Sequence, residues 1–153
     1  MAIYTIRKAG GAITPDTGTA VYLSMIPATT RSIRLQEFSH SGLGTASAAN
    51  ELRMTLGPTG TTPGGAVTPF PSSPLGQVAA GFTTATTYAT APTLNASGGL
   101  AYGVNANGGT YRWLAKTNFE LIATNGITNA ATLAWAVVSG TSSLAGHVLI
   151  EEL

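Results

Sequence analysis

The sequence predicts an all-β fold: a single-domain β-sandwich or jelly roll with a long loop or arm rich in Pro, Gly and Thr. Three observations support this prediction. Proline and glycine, which number 8 and 19 among the 153 residues, interrupt nearly every window of helical length. Thr and Val are common between the interruptions, and both favour strands. About eight to ten short strand-like segments separated by turn signals are typical of a sandwich or jelly roll.

The first half of the chain contains well-defined strand patterns. The predicted strands are residues 2–8, 19–26, 32–40 and 51–56. A turn is predicted at residues 14–18, because its proline presets φ and its glycine accepts positive φ. Apolar and polar side chains alternate strictly in residues 51–56, so one face of that strand should be buried.

The second half begins with weakly patterned sequence, in which residues 75–88 predict one or two weak strands and residues 93–109 are mainly loop. Strong strand patterns then return. They cover residues 110–115, 119–124, 130–138 and 144–152. The first two flank residues 116–118 and predict a hairpin. Trp135 alternates with Leu133 and Val137 in a segment that is apolar on both faces, which predicts a core position in a central strand.

The chain carries no Asp, Glu, Lys, Arg or His between Met54 and Tyr111. About a quarter of residues are charged in an average domain, so this composition suggests that much of the surface faces another protein. Its unusual part is residues 57–109, called here the neutral segment. The first portion, residues 57–75, holds five of the eight prolines and predicts an extended arm or loop. Val67 and Phe70 are its apolar anchors, and we expect the arm to lie on a partner or on its own body.

Composition excludes several classes of function. Net charge is +1 and charged residues are 8% of the chain, so no electrostatic case exists for nucleic acid or for an anionic membrane. A hydrophobic fraction of 44% and a mean hydropathy of +0.23 argue against disorder. Cysteine is absent, which excludes disulfides and cysteine metal sites. We expect neither a signal peptide nor a membrane helix from the apolar runs.

Few residue types that carry chemistry are present. The chain has two histidines, His40 and His147, and both are predicted to be hydrogen-bonded structural residues, since a shared metal would need a further ligand. A triad of Ser39, His147 and Asp16 can be assembled on paper, but any sequence allows such a choice. We predict no enzyme activity, no catalytic residue, no cofactor and no metal.

Glu37 and Glu51 are predicted to lie in neighbouring strands, where a carboxylate pair is conceivable. Arg31, Arg34 and Arg53 are close to them in sequence. Ion pairing between strands is therefore favoured over a catalytic dyad.

The segment Tyr111-Arg112-Trp113 admits two interpretations. Alternation places Tyr111 and Trp113 on one face and Arg112 on the other. The favoured interpretation is core packing with a surface arginine. The alternative is a platform for carbohydrate or for a partner, because exposed Trp and Tyr anchor interfaces.

Four segments together carry a family resemblance: an N-terminal strand with Ala2-Ile3-Tyr4, the strand RSIRLQEF at residues 31–38, Tyr-Arg-Trp-Leu-Ala at residues 111–115, and a C-terminal strand ending in Glu-Glu. The pattern resembles small β-sandwich virion proteins of tailed bacteriophages, of the capsid decoration (cement) or minor head-protein kind. The resemblance implies a structural protein on the phage head, assembled in the host bacterial cytoplasm. It also implies a homo-oligomer such as a trimer, with the major capsid protein and copies of itself as partners.

Candidate contact residues follow from this resemblance and from the residue types. They are Ile3, Tyr4, Val67, Phe70, Tyr111 and Trp113. An N-terminal strand can add to a neighbour's sheet edge, and a Pro-rich arm can lie on a neighbour. The alternative function is a tail, fibre or head–tail junction protein that binds a receptor or a glycan. A hydrolase with a jelly-roll body and a cellular lectin-like or appendage protein are further alternatives.

Overall fold

The computed structural model describes residues 1–72, 79–95, 99–117 and 120–153, and this part of the chain contains strands and no helix. The strands are β1 (Ala2–Ala12), β2 (Ala20–Pro27), β3 (Ser32–Gly42), β4 (Ala49–Gly57), β5 (Phe70–Pro71), β6 (Phe82–Thr87), β7 (Leu100–Asn105), β8 (Thr110–Leu114), β9 (Ile122–Thr124), β10 (Thr132–Ser139) and β11 (Ser143–Glu152). The predicted all-β class is confirmed.

Two antiparallel sheets pack face to face as a sandwich. The first sheet has the order β5-β1-β11-β3-β8, and β9 also pairs with β3; the second has the order β6-β2-β10-β4-β7. Strands β1 to β4 alternate between the two sheets. Strand β11 lies between β1 and β3 in the first sheet, and strand β10 lies between β2 and β4 in the second. This strand order is that of a jelly roll, with β5, β6 and β9 as additions.

The core lies between the two sheets and is built from alternate residues of each strand. Its largest fully buried side chains include Trp135, Tyr4 and Phe38, so the prediction for Trp135 is confirmed. Gly146 allows the Trp135 ring to pack, because a Cβ atom at residue 146 would lie 2.6 Å from that ring and 2.5 Å from the Ser39 carbonyl oxygen. Interiors packed this tightly do not accommodate an extra methyl group without movement.

A β-bulge in β3 changes which side chains face outward. Leu35 pairs with Ile150 and Glu37 pairs with Leu149, so Gln36 has no opposite residue on β11. Leu35 and Phe38 both point into the core as a result, although they are three residues apart. Strict alternation from Leu35 would have placed Phe38 on the outer face and Glu37 in the core.

The predicted hairpin of residues 110–115 and 119–124 is wrong. Strands β8 and β9 each pair with β3 rather than with each other. Residues 118–119, at the predicted turn, lie outside the described residues. Strand β7 was also missed, because it falls in sequence predicted to be mainly loop. Its outward residues Ala101 and Gly103 are small, so the sequence shows little contrast with the inward Tyr102 and Val104.

The Pro-rich arm lies on its own body as far as residue 72, after which residues 73–78 are outside the described part. It first follows β6, with bridges from Thr61 to Thr90 and from Gly64 to Thr87. The Val67 N–H then donates to Thr84 Oγ1 at 2.7 Å. Phe70 and Pro71 finally pair with β1 as β5. The arm therefore covers the edges of β6 and β1, which lie on the same side of the sandwich.

The rest of the neutral segment helps to cover the outer face of the second sheet. Thr55 and Ala134 point away from the central core, yet they are 1% and 0% exposed. Thr55 Oγ1 donates to the Asn95 carbonyl oxygen at 2.9 Å. Tyr88 packs with Val21 and Ala85 in a second small core. At these buried positions a charged side chain without a partner would be costly, although many other described residues of the segment are exposed.

Candidate interaction site

The outer face of the first sheet carries a cluster of ionisable side chains. They are Arg7, Arg34, Glu37, Arg112, Glu120, His147 and Glu151. The Arg112 guanidinium donates to both Glu37 carboxylate oxygens at 2.6 and 2.8 Å. These hydrogen bonds hold the pKa of Glu37 below its usual range. Arg112 is largely exposed, so the pair contributes little to stability.

The prediction that Glu37 and Glu51 lie in neighbouring strands is wrong. Glu37 is on β3 of the first sheet, whereas Glu51 is on β4 of the second. The expected ion pairing is present for Glu51, whereas Glu37 pairs with an arginine that the sequence did not indicate. Glu37 binds Arg112, and Glu51 lies 3.9 Å from Arg53. Strand pairing of β3 with β8 brings Glu37 and Arg112 together, whereas Glu51 and Arg53 are close neighbours on β4 itself.

Of the hypothetical triad Ser39, His147 and Asp16, the first two are neighbours, but Asp16 lies away from them in the turn before β2. Ser39 Oγ lies 3.0 Å from His147 Nδ1, and His147 Nε2 lies 3.3 Å from Glu37 Oε1. Both β8 and β11 pair with β3 at Ser39, so the nearby main-chain N–H groups are used in hydrogen bonds between the strands. Acyl transfer needs free donors for the oxyanion. The arrangement fits a hydrogen-bonded row across the sheet better than a nucleophilic site.

His40 belongs to a buried chain of hydrogen bonds that joins the two sheets. The Trp135 Nε1–H donates to the Tyr102 hydroxyl, which lies 2.8 Å from His40 Nδ1. His40 Nε2 is buried and has no hydrogen-bond partner among the described residues. Burial lowers the pKa of His40 to about 3, so the ring is neutral. Within the described ranges, no three His, Asp or Glu side chains are placed to hold a metal ion.

Asp16 holds the turn before β2 against the end of β10. Its Oδ1 accepts hydrogen bonds from the N–H groups of Tyr22 and Val137, both at 3.1 Å. Its Oδ2 is buried and has no hydrogen-bond partner in the part of the chain that the structure describes. Burial raises the pKa of Asp16 to about 6, although the two N–H donors oppose the shift.

Asp16 should make the protein less stable as the pH rises through the range 4 to 6. Its pKa is raised from 3.8, so folding favours the protonated form. The favourable contribution is fully present below about pH 4 and is lost as the pH passes 6, a change of at most about 3 kcal/mol. We expect Asp16→Asn to abolish this loss, as measured by urea unfolding at several pH values. An unchanged difference between variant and wild type from pH 4 to 7 would contradict the assignment.

The side of the sandwich opposite the arm has open strand edges. No strand in the described part of the chain pairs with the outer edge of β7 or of β8. The Ala115 N–H donates to the Gln36 carbonyl oxygen. Because antiparallel hydrogen bonding alternates along a strand, the main-chain groups of Arg112 and Leu114 point away from the sheet. They are free to pair with another chain.

Apolar side chains surround this open edge. Leu114 is 54% exposed, and Trp113 is half-buried with its ring stacked on Phe38 at 5.4 Å. A cleft of about 440 Å³ lies there, lined by Leu100, Trp113, Leu114 and Lys116, and is called here the β7–β8 cleft. A partner at the β7–β8 cleft could therefore contact the open edges of both strands and the apolar side chains around them.

The predicted contact residues fall into three groups. Tyr111 and Trp113 lie on β8 and pack partly on the core, as the favoured interpretation of that segment predicted. Ile3 and Phe70 are exposed on the opposite side of the sandwich, 36% and 66% respectively.

The two remaining residues face inward. Tyr4 is 1% exposed, so its side chain belongs to the core and offers no contact surface, which corrects that assignment. Val67 is half-buried against the core of its own chain. Sequence reasoning missed Leu114, and the signal for it was an apolar residue out of phase with Trp113.

Comparisons with protein-family models, with curated proteins and with solved structures find no match to this chain. Within the described residues, no helix is long and apolar enough to cross a membrane. The function is therefore argued from the site.

Proposed function

We propose that this chain is a structural virion protein of a tailed bacteriophage, a capsid decoration or cement protein. It stabilises the phage head through contacts with the major capsid protein and with copies of itself. The observation that carries this proposal is the open edge of β8, where unpaired main-chain groups adjoin exposed Leu114 and the β7–β8 cleft.

The physical argument is that natural sheets protect their edges unless the edge is used. The arm covers β1 and β6 on one side of the sandwich, whereas β7 and β8 are left open. Open edges bind chains by strand addition, in which main-chain hydrogen bonds give affinity and side-chain pockets give specificity. Jelly rolls serve in viral capsid and lectin domains, which agrees with the proposal, although a fold alone does not assign a function.

A role without catalysis is part of the proposal. The row of Ser39, His147 and Glu37 holds together three adjacent strands of the first sheet through side-chain hydrogen bonds and the Glu37–Arg112 pair. Glu37 is engaged by two partners, so it is not a free general base. Within the proposed function these residues keep the outer face of the sheet rigid.

Electron microscopy of the virion tests the location. A cement protein should be present in many copies arranged with the symmetry of the head. A few copies at the tail would contradict the proposal and favour the alternative.

That alternative is a tail, fibre or head–tail junction protein that binds a receptor or a glycan. The half-buried Trp113 beside Lys116 in an open cleft favours it, because aromatic rings with an apolar face and polar neighbours suit sugar binding. Glycan-array binding that is abolished by Trp113→Ala would support this function. An array without hits would weigh against it.

A further inference from the structure

Arg7 lies at the meeting point of two surface cavities on the side of the sandwich that carries β1 and β5. One cavity, of about 420 Å³, is lined by Arg7 with Phe70 and the polar side chains of Thr5, Thr68 and Ser72. The other, of about 370 Å³, includes Arg7, Ser39 and His147 in its lining. Both cavities open to solvent on the first sheet, away from the β7–β8 cleft.

Arg7 differs from the other arginines because no acidic group in the described residues pairs with it. Arg31, Arg34, Arg53 and Arg112 each lie within 4 Å of a glutamate. Phe70, in the same cavity as Arg7, is 66% exposed. A guanidinium without a counter-charge next to an exposed aromatic ring suits a carboxylate that is accompanied by an apolar side chain.

A carboxylate accompanied by an apolar side chain is present on the same chain, towards the side of the sandwich that carries the open edge of β7. The side chain of Glu51 is 47% exposed, far more than those of the other ion-paired glutamates, and among the described residues its one ionic contact is Arg53 at 3.9 Å. Glu51 lies on β4, opposite Gly103 of the open edge strand β7. On the neighbouring strand β10, Glu51 pairs with Ser139, and the residue before Ser139 is Val138, which is 38% exposed.

We propose that the Arg7–Phe70 surface of one copy binds the Glu51–Val138 surface of the next copy of this chain. The two surfaces differ, so the contact is heterologous and makes a closed ring or a chain of subunits. Opposite charges beside apolar groups on the two surfaces specify the second copy as the occupant. This inference rests on the proposed function only in its claim of self-association; the capsid contact through β8 is independent of it.

Charge exchange tests the proposal. Sedimentation velocity of the purified full chain, from about 1 µM to 1 mM, should show an oligomer. Arg7→Glu and Glu51→Arg should each weaken association about tenfold or more, because close interfacial charge pairs couple strongly. The double variant should recover most of the affinity. Arg7→Lys keeps the charge and should retain more association than Arg7→Glu, and circular dichroism should show that all variants are folded.

Added salt supplies a second measurement that needs no mutation. An exposed ion pair is screened at high ionic strength, so 1 M NaCl should weaken wild-type association and should have less effect on either single variant. A monomer at 1 mM, or single variants that associate like wild type, would overturn the inference. Many symmetric copies on the head, combined with a monomer in solution, would leave the cement function standing without this contact.

Discussion

Trp135→Ala is expected to lower the free energy of unfolding by about 3–5 kcal/mol, the usual cost of truncating a fully buried aromatic residue. The Trp135 side chain is 0% exposed and packs at 4.0 Å between ring centroids on His40. Its removal also leaves the Tyr102 hydroxyl without its donor. Domains of this kind have total stabilities of about 5–15 kcal/mol, so the variant should be close to unfolding at 37 °C.

Urea unfolding followed by circular dichroism measures this effect, and Trp135→Phe separates its two causes. The phenylalanine keeps much of the ring but lacks the N–H that donates to Tyr102, so it should cost less than the alanine, with about 1–3 kcal/mol for the unsatisfied hydrogen bond. A loss below about 1 kcal/mol for Trp135→Ala would show that this side chain is not the centre of the core.

Leu114→Asp is expected to weaken binding to capsids by about tenfold or more while leaving the isolated protein folded. The side chain is 54% exposed in the free chain, so folding loses little apolar burial. At a docked edge, the substitution would replace an apolar contact with a charged group that must be desolvated, and truncating an interface anchor commonly costs more than 1 kcal/mol. Binding is measured by co-sedimentation with capsids prepared without this protein.

Ile127→Asp is the matched control. Ile127 is also 54% exposed, but it lies in the turn after β9 rather than on the open edge of β8. The control should bind capsids like wild type. Equal losses for both variants would indicate a general effect of the added charge, and equal retention would exclude the β8 edge from the capsid contact.

Strands with a strong hydrophobic pattern could be predicted from the sequence alone. Period-two alternation in residues 51–56 and the doubly apolar pattern around Trp135 correspond to β4 and β10. These patterns follow from the side on which each side chain is buried, which is local information. Strand β7 was not predicted, because alanine and glycine alternate there with core residues. Small outward side chains do not produce the apolar–polar alternation that marks a strand.

Pairing between distant strands could not be predicted in the same way. His147 meets Ser39 because β11 lies beside β3, and the bulge at Gln36 brings Glu37 to the same outer face. That bulge results from the fit of two strands separated by more than a hundred residues. For the same reason, Glu37 and Glu51 were assigned to neighbouring strands although the jelly-roll order separates them into different sheets.

Composition singled out the neutral segment, but where it lies depends on tertiary structure. An absence of charge indicates contact with protein and does not say which protein. The described parts of the segment cover the outer face of the second sheet and the edges of β6 and β1 of the same chain. In the described part of the chain, the strand edges left open are those of β7 and β8, where Leu114 and Trp113 lie.

Hydrogen exchange, followed by mass spectrometry on the free and the capsid-bound protein, tests the claim that the arm serves its own chain and β8 serves the partner. In the free protein, the amides of Thr61, Gly64 and Val67 should already be protected, because each donates to an acceptor of the same chain. On binding, new protection should appear in residues 110–115. Free protein that exchanges rapidly at residues 61–71 and becomes protected there only on the capsid would contradict the account.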